Sequence, residues 1–257
     1  MANPVSFLDV VDDRSPDGRV ADGLWEDAEA EVLGPPARSI RVLIVDDHRS
    51  FAEALRLAID MQPDLECVGI PETAGEAIEM ATASCPDVVL MDVRLPDVDG
   101  IEATRRLKEV CPDASVLVVT AFSDVELLSR AAGAGASGFL PKESSIADFF
   151  DAIRAAGVGS MIVDRATLIS IIDRVGASAR AERSTASTEV RLTPRELEVL
   201  TLMGRGIDAR GISKQLGIKL STCRGYQKSI MFKLGAHSQL EAVVSAVQSG
   251  ILPPLSP

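Results

Sequence analysis

The chain contains one stretch, residues 88–100, that restricts its fold more than any other. Four apolar residues, Val88 to Met91, end in the carboxylate of Asp92, and Pro96 follows four positions later. A short apolar run closed by turn residues is typical of a strand buried on both faces, as in a parallel sheet. Proline lacks the N–H that a sheet ladder needs, so the chain must leave the sheet as a loop there. Asp92 is therefore predicted at the carboxyl end of a buried strand, the edge at which open α/β sheets bind ligands.

The same kind of apolar run recurs across residues 40–156 and alternates there with segments of helical spacing. The predicted strands lie at residues 40–45, 65–69, 88–92, 114–120 and 138–140. Five strands that alternate with five helices predict a parallel sheet with right-handed crossovers and helices on both faces.

Polar side chains stand at or just beyond the ends of four of these strands. Asp46 and Asp47 follow the first strand, Asp92 and Thr120 end two others, and Lys142 lies just past the last. Because parallel strands end at the same sheet edge, we expect these side chains to converge. Clustered carboxylates repel one another unless a cation or an ammonium group compensates. Oxygen ligands with open positions suit Mg²⁺, and a lysine adds a mobile charge for a phosphoryl oxygen.

The charge of the chain is unevenly distributed along its length. The net charge is -12, and residues 40–155 carry 21 acidic and 10 basic side chains. Residues 191–257 reverse this balance, with 4 acidic and 9 basic side chains. A basic segment on an acidic body indicates that this segment meets a polyanion, although a basic tail can also serve solubility.

Other features of composition restrict the compartment and the chemistry. The acidic, proline-punctuated residues 1–39 cannot bury enough apolar surface to fold, so we predict a disordered extension. The four cysteines form no CxxC pair, which gives no zinc or redox constellation and is typical of a reducing cytosol. Neither a signal peptide nor an apolar run of about 18 residues is visible, so we expect a cytoplasmic protein without a membrane span.

The C-terminal part reads as a connector followed by a helical domain. Residues 157–190 are predicted as a linker with one helix at 166–175, and 176–189 as its flexible part. Residues 191–252 are predicted as an all-helical domain that begins with the capping box of Thr193 and Glu196, and 253–257 as a tail. Two short helices joined by a tight glycine turn match helix-turn-helix spacing.

Residues 40–156 resemble the receiver domain of bacterial response regulators. The resemblance is carried by Asp46-Asp47, by Asp92 with Pro96 and Asp99-Gly100, and by Thr120 and Lys142. It implies a flavodoxin-like (βα)5 domain in which Asp92 accepts a phosphoryl group from a histidine kinase. It also implies roles for further residues: Mg²⁺ ligation by Asp46, Asp47, Asp92 and the backbone carbonyl of Arg94, phosphoryl sensing by Thr120 and Lys142, and an aromatic switch at Phe139. A plain core role for Phe139 is the alternative.

Residues 191–250 resemble the DNA-binding domain of NarL/LuxR-type regulators. The matching motifs include Leu192-Thr-Pro-Arg-Glu196, Leu216-Gly-Ile218 and Lys233-Leu-Gly235. The resemblance implies that the third of four helices enters the major groove, with base contacts from Arg224, Gly225 and Lys228. It implies phosphate contacts from Lys219, Ser221, Thr222 and Lys233, and we add Thr193 and Tyr226 as further candidates for phosphate contact. The alternative is that these basic residues form an ordinary solvated helix face.

The fourth helix carries an apolar stripe formed by Leu240, Val243, Val244 and Val247. The stripe is exposed if only three helices pack together, and in the family this helix pairs two subunits. The resemblance therefore implies a homodimer on a two-fold site in double-stranded DNA.

Taken together, the two resemblances indicate a two-component response regulator that controls transcription. We expect that it is not an enzyme, and RNA polymerase is a further candidate partner. One alternative is a LuxR-type regulator that acts without phosphorylation and is controlled by abundance or by a bound partner. A second alternative, from the enzyme class, is a phosphatase or another Mg²⁺ phosphotransferase. The absence of a second acid or base near Asp92 in the sequence argues against an enzyme.

Overall fold

The computed structural model describes residues 38–121, 124–182 and 191–253. The predictions for the N-terminal extension up to residue 37, for linker residues 183–190 and for residues 254–257 lie outside these ranges. Among the helices of the described ranges, none has the length and apolarity that crossing a membrane requires.

The first part of the described chain is a five-stranded parallel sheet, as the strand and helix alternation predicted. Its strand order is β2-β1-β3-β4-β5, with helices between successive strands. The strands are β1 (Ile40–Val45), β2 (Leu65–Gly69), β3 (Val88–Asp92), β4 (Ser115–Thr120) and β5 (Gly138–Pro141). The helices are α1 (Arg49–Asp60), α2 (Ala74–Ser84), α3 (Gly100–Val110), α4 (Val125–Gly133) and α5 (Ile146–Gly157).

Strand β3 lies in the middle of the sheet, and all five of its residues are buried. Apolar side chains of α1 and α5 cover one face of the sheet, and those of α2 and α3 cover the other. This two-sided burial explains why β3 reads as a continuous apolar run instead of an alternating one. It also places the carboxylate of Asp92 at the point where the core ends.

The loop after β3 returns close to Asp92 because Gly100 has no side chain. The N–H of Gly100 donates to the carbonyl of Val93 at 2.8 Å. A Cβ atom at Gly100 would lie 1.9 Å from the carbonyl oxygen of Asp92, which is far inside contact distance. Glycine is therefore required for this close approach of two backbone segments.

The C-terminal part consists of helices whose ends agree with the capping signals in the sequence. They are α6 (Arg165–Glu182), α7 (Pro194–Gly204), α8 (Ala209–Leu216), α9 (Leu220–Leu234) and α10 (Gln239–Gln248). The predicted capping box of Thr193 and Glu196 opens α7. Gly217 and Gly235 adopt left-handed φ values of 63° and 64° and end α8 and α9, which is the usual role of glycine at a helix C-terminus.

The connector between the two parts is more ordered than we predicted. Helix α6 continues to Glu182, so the prediction of a flexible chain from Gly176 onwards was wrong for residues 176–182. The physical reason is tertiary packing, because α6 shares one apolar core with α4 and α10 and even Gly176 is buried there. Upstream of α6, the N–H of Phe139 donates to the carbonyl of Ile162 at 2.8 Å, which attaches the connector to the free edge of β5.

Candidate functional site

Lys142 joins the carboxylates that stand at the carboxyl edge of the sheet. Its Nζ lies 2.7 Å from Oδ2 of Asp46 and 2.8 Å from Oδ2 of Asp92. Asp46 follows β1 and is 2% exposed, whereas Asp92 ends the neighbouring strand β3 and is 5% exposed. The structure therefore brings together side chains that we expected to converge. Lys142 and Asp92 meet although they are 50 residues apart in the sequence.

The charge on Lys142 offsets part of the negative charge at this edge. Burial lowers the pKa of the Lys142 ammonium, but its hydrogen bonds to Asp46 and Asp92 outweigh burial, and the pKa is raised above its usual value. The Nζ also lies 5.4 Å from the centre of the Phe51 ring, a geometry that favours a cation. The ammonium group is therefore held charged beside the candidate phosphoryl acceptor.

Asp47 and His48 complete this acidic cluster on its solvent side. The Nδ1 atom of His48 lies 2.9 Å from Oδ1 of Asp47, and the backbone N–H of His48 donates to Oδ1 of Asp46 at 2.9 Å. Ligand atoms of Asp46, Asp47, His48 and Asp92 all lie within 4.8 Å of one another. Sequence reasoning missed His48 because it sought zinc-type spacings, although its position directly after the aspartate pair was a usable signal.

A cavity of about 320 Å³ opens beside the cluster and is large enough for a phosphoryl group and its ligands. Arg94 and Thr120, predicted to contribute a backbone carbonyl and a hydroxyl, both line it, together with Asp92 and Lys142. Three carboxylates with an open cavity provide the oxygen donors that a hard divalent cation prefers. The donor set thus fits Mg²⁺, and His48 adds a nitrogen donor that Mg²⁺ does not require.

Phe139, the candidate switch residue, is half-buried in β5. Its ring packs against two apolar clusters, one around α4 and one shared by α4, α6 and the C-terminal helices. A second cavity of about 200 Å³ lies between Phe139, Thr120, Leu128 and the start of α6 at Thr167. The ring therefore has both core contacts and adjacent free volume beside Thr120, which is consistent with a switch role and with a plain core role.

The basic face of α9 is open to solvent. The side chains and backbone positions predicted to meet bases and phosphates are all exposed: Lys219, Ser221, Thr222, Arg224, Gly225 and Lys228. A Cβ atom at Gly225 would meet nothing within 4 Å, so its lack of a side chain is not a requirement of packing. These positions are therefore accessible to solvent on one side of α9.

Three of the predicted DNA contacts have other roles in the structure. The Nζ of Lys233 lies 2.7 Å from Oε2 of Glu196, a carboxylate that is 4% exposed and also accepts from the hydroxyl of Ser229 at 2.6 Å. The hydroxyl of Thr193 accepts from the N–H of Glu196 as the α7 cap. Tyr226 is partly buried against the helical core. These contacts disfavour phosphate binding by the three side chains. Lys233 is held in an ion pair, Thr193 caps a helix, and Tyr226 packs against the core.

Glu196 is the centre of this polar group in the helical domain. Burial raises the pKa of Glu196, but hydrogen bonds from Lys233, Ser229 and Thr193 outweigh burial and lower the pKa to about 2. The carboxylate is therefore ionised at neutral pH and ties the start of α7 to the end of α9.

The α10 stripe, which would be exposed if only three helices packed together, is buried in the structure. Leu240, Val243, Val244 and Val247 are each at most 1% exposed, because α10 packs against α4 and α6 as well as against α7 and α9. The stripe is therefore buried by helices of the C-terminal part together with α4 and α6.

Comparison with protein families matches two models to the chain. The model described as "Response regulator receiver domain" matches residues 42–154, and the one described as "Bacterial regulatory proteins, luxR family" matches residues 190–246. The first covers the sheet with its acidic edge, and the second covers α7 to α9 and most of α10.

Individual proteins are similar over most of the chain. The transcriptional regulatory protein LiaR of Bacillus subtilis is 33% identical over 207 residues, which cover 80% of this chain and 96% of LiaR. The response regulator protein VraR of Staphylococcus aureus is 30% identical over 214 residues, covering 83% of this chain and 99% of VraR. Among solved structures, the response regulator ChrA of a heme-sensing two-component system is 27% identical, with a TM-score of 0.44 and coverage of 83% of this chain and 99% of ChrA.

Proposed function

The chain belongs to the LuxR-type response regulators of two-component systems, and we propose that phosphorylation of Asp92 controls its binding to double-stranded DNA as a homodimer. The observation that carries the proposal is the placement of Asp92, Asp46 and Lys142 within hydrogen-bonding distance at one sheet edge. This edge opens into a cavity, and the same chain carries an exposed basic helix.

The Asp92 carboxylate has the position of a phosphoryl acceptor. In the proposed reaction one of its oxygens attacks the phosphorus of a phosphohistidine on a partner kinase. The bond between phosphorus and the imidazole nitrogen breaks, and the imidazole leaves with its electron pair and takes up a proton. Lys142 stabilises the charge on the phosphoryl oxygens, and the Thr120 hydroxyl donates to one of them.

Asp46, Asp47, Asp92 and the backbone carbonyl of Arg94 would hold Mg²⁺ in this pocket. A bound Mg²⁺ supplies charge neutralisation at the transferring phosphoryl group. Asp46 and Asp47 would supply carboxylate oxygens to the cation. They follow the strand next to the one that ends at Asp92, and carboxylate oxygens of all three residues lie within 4.8 Å of one another, so all three could bind the same ion.

The exposed face of α9 is the proposed DNA-reading surface. Arg224 and Lys228 are placed to reach base edges, whereas Lys219, Ser221 and Thr222 at the start of the helix are placed to contact phosphates. Gly225 lies on the same face and lets the helix backbone approach a base. In this proposal α10 supplies the subunit contact, and RNA polymerase and the cognate kinase are further partners of a cytoplasmic protein.

If only the pocket is considered, an enzyme that transfers phosphoryl groups is the competing proposal. The sequence places no second acid or base near Asp92, but the fold brings His48 into the same pocket. The family of the whole chain nevertheless favours a regulator, because a LuxR-type domain follows the receiver. Turnover of external phosphoesters by the full chain would support the enzyme instead.

Labelling with ³²P-acetyl phosphate tests the proposal. The full chain should become labelled only when Mg²⁺ is present, and Asp92→Asn should lose the label. Asp113→Asn, an exposed aspartate remote from the pocket, is the matched control and should keep it. Selection of DNA sites with and without acetyl phosphate should then recover a two-fold sequence more efficiently from the labelled protein. Equal labelling of Asp92→Asn would contradict the assignment, and equal site recovery in both states would favour a regulator that acts without phosphorylation.

A further inference from the structure

Two cysteines that are distant in the sequence lie at one cavity in the structure. Cys85 and Cys111 are 26 positions apart and form no CxxC motif. Both line a cavity of about 410 Å³ at the amino edge of the sheet, where β3 and β4 begin. Asp92 stands at the opposite edge, at the end of β3. The cysteine pair is therefore separate from the candidate phosphorylation pocket.

Each of the two cysteines directly follows a helix. Cys85 follows α2 and Cys111 follows α3, and their N–H groups donate to the carbonyls of Ala81 at 2.8 Å and of Leu107 at 2.7 Å. The two helices pack side by side on one face of the sheet and run in the same direction, because both connect parallel strands. Their C-terminal ends, and with them the two cysteines, are thus neighbours.

Both sulfur atoms face the last turn of α2. The Sγ of Cys111 lies 3.3 Å from the carbonyl oxygen of Ala81, the same oxygen that accepts the backbone N–H of Cys85. The Sγ of Cys85 lies 4.0 Å from the carbonyl oxygen of Thr82, the next residue along the helix. Because Ala81 and Thr82 are consecutive residues of one turn, the two thiols lie beside the same short piece of backbone.

The two thiols differ in their exposure. Cys85 is exposed, whereas Cys111 is partly buried and packs against the apolar core beneath α2 and α3. Burial raises the pKa of the Cys111 thiol, and the neighbouring Cys85 acts in the same direction. An exposed thiol beside a shielded one is the arrangement in which an oxidant reaches the first sulfur and the second sulfur then closes a disulfide.

The backbone conformation of Cys85 gives no reason for a cysteine there. Its φ is 47°, and no other non-glycine residue of the described ranges has a positive φ. Glycine or asparagine is favoured in this conformation directly after a helix. The side chain is exposed, so its contribution to the core does not account for the residue either. A role for the thiol itself explains what backbone and packing leave unexplained.

We propose that Cys85 and Cys111 are a modification site that a peroxide converts into a reversible disulfide. The sulfur of Cys85 attacks one peroxide oxygen, the O–O bond breaks, and the departing hydroxide takes up the thiol proton, which gives water and a sulfenic acid on Cys85. The sulfur of Cys111 then attacks the sulfur of Cys85, the S–O bond breaks, and the oxygen leaves as water with the Cys111 proton. Two thiols are oxidised, and one peroxide is reduced to two waters.

The disulfide fastens the end of α2 to the end of α3. It closes a segment of the chain that contains β3 and α3, and such a cross-link stabilises a protein mainly by restricting the unfolded chain. An oxidant thus acts on the receiver domain at a place remote from Asp92. The proposal goes beyond the proposed function and does not depend on phosphorylation.

Peptide mapping of the oxidised full chain tests the proposal. The reduced protein is treated with hydrogen peroxide, free thiols are blocked with iodoacetamide, and the chain is cut after lysine, arginine and glutamate, which separates Cys67 from Cys85. The wild type should give a linked pair of peptides that contain Cys85 and Cys111 and are two hydrogens lighter than the separate peptides. Dithiothreitol should release them.

Serine variants identify the two sulfur atoms. Cys85→Ser and Cys111→Ser should each lose the linked pair. Cys67→Ser is the matched control, because Cys67 is partly buried like Cys111, and this variant should keep the pair. Asp92→Asn should also keep it, which separates this test from that of the proposed phosphorylation. Circular dichroism checks that every variant is folded.

Urea unfolding gives a second readout. The oxidised wild type should unfold at a higher urea concentration than the reduced wild type, because the cross-link restricts the unfolded chain. Peroxide should leave the midpoints of Cys85→Ser and Cys111→Ser unchanged, and Cys67→Ser should respond like the wild type.

Three results would overturn the proposal. One is oxidation of Cys85 to its sulfenic or sulfinic acid while Cys111 stays free. Another is a link that joins two chains, which a non-reducing gel shows at twice the mass. The third is a linked pair whose formation leaves the urea midpoint of the wild type unchanged, since the ends of α2 and α3 would then not be fastened.

Discussion

The ammonium of Lys142 lies 2.8 Å from the carboxylate of Asp92, and the same nitrogen lies 2.7 Å from Asp46. One lysine therefore pairs with two buried carboxylates from adjacent strands and offsets part of their charge. In the reaction we propose, the same lysine must release part of this contact to meet a phosphoryl oxygen. Stability of the pocket and its chemistry are thus coupled through one side chain.

Replacement of Lys142 by Met should destabilise the receiver domain in the absence of Mg²⁺. The change leaves Asp46 and Asp92 buried without their counter-charge, at an expected cost of about 3 kcal/mol. Because a cation that binds only the folded state stabilises it, added Mg²⁺ should raise the unfolding free energy of the variant more than that of the wild type. Urea unfolding with and without Mg²⁺ measures both. An equal Mg²⁺ effect on the two proteins would separate Lys142 from the cation site.

Two glycine-to-alanine changes should have opposite effects on stability. Gly100→Ala places a methyl group 1.9 Å from the Asp92 carbonyl and should cost about 2–3 kcal/mol or more, because backbone must move. Gly225→Ala in the exposed interior of α9 meets no atom within 4 Å and should stabilise the chain by about 0.5–1 kcal/mol. Denaturant midpoints at constant slope test the pair. A tolerated Gly100→Ala would mean that the loop after β3 approaches Asp92 less closely than described.

The ionised Glu196 should make stability depend on acid pH. Its folded pKa of about 2 lies below its usual 4.5, so its contribution is complete above pH 4.5 and is lost as pH falls towards 2. Glu196→Gln should cost about 2 kcal/mol at neutral pH, since charge-assisted hydrogen bonds are lost, and this difference should shrink across that window. Glu198→Gln, at an exposed carboxylate, is the control and should change stability by less than about 1 kcal/mol. Thermal unfolding from pH 2 to 7 provides the comparison.

Base and phosphate contacts on α9 should separate in DNA titrations. Arg224→Ala should cost about 1–3 kcal/mol on the selected site and relax the preference at one base position. Lys219→Ala should weaken all sequences alike and reduce the slope of log affinity against log salt by about 1. Loss of affinity that is uniform across sequences for Arg224→Ala would place its guanidinium on phosphate.

Lys233 should behave as a structural residue in the same titrations. Its ion pair with the buried Glu196 predicts that Lys233→Met lowers the unfolding free energy of the chain, because an uncompensated carboxylate remains. The salt dependence of DNA binding by the folded variant should equal that of the wild type. A smaller slope of log affinity against log salt for the variant would mean that Lys233 contacts a phosphate, as expected from the sequence.

Local sequence signals were sufficient for the strands and for the helices other than the second half of α6, which depends on tertiary packing. The apolar run that ends at Asp92 is typical of a strand buried on both faces of a parallel sheet, and β3 is such a strand. The capping box formed by Thr193 and Glu196 marks the start of α7 with residues that are only three positions apart. These features depend on backbone hydrogen bonding and on burial over a few positions, which a linear sequence displays directly.

The roles of Lys233 and of the α10 stripe required the tertiary structure. A lysine on a basic helix looks the same in sequence whether it faces a phosphate or, 37 residues away, the carboxylate of Glu196. The spacing of the valines predicts an apolar face on α10. No local pattern indicates whether that face contacts solvent, a second subunit or α4 of the same chain. The sequence alone determined which groups were chemically able to act, because side-chain chemistry and periodicity are local. Only the packing of distant segments decided which of them are already satisfied, since burial and ion pairing are set by contacts between residues far apart in the chain.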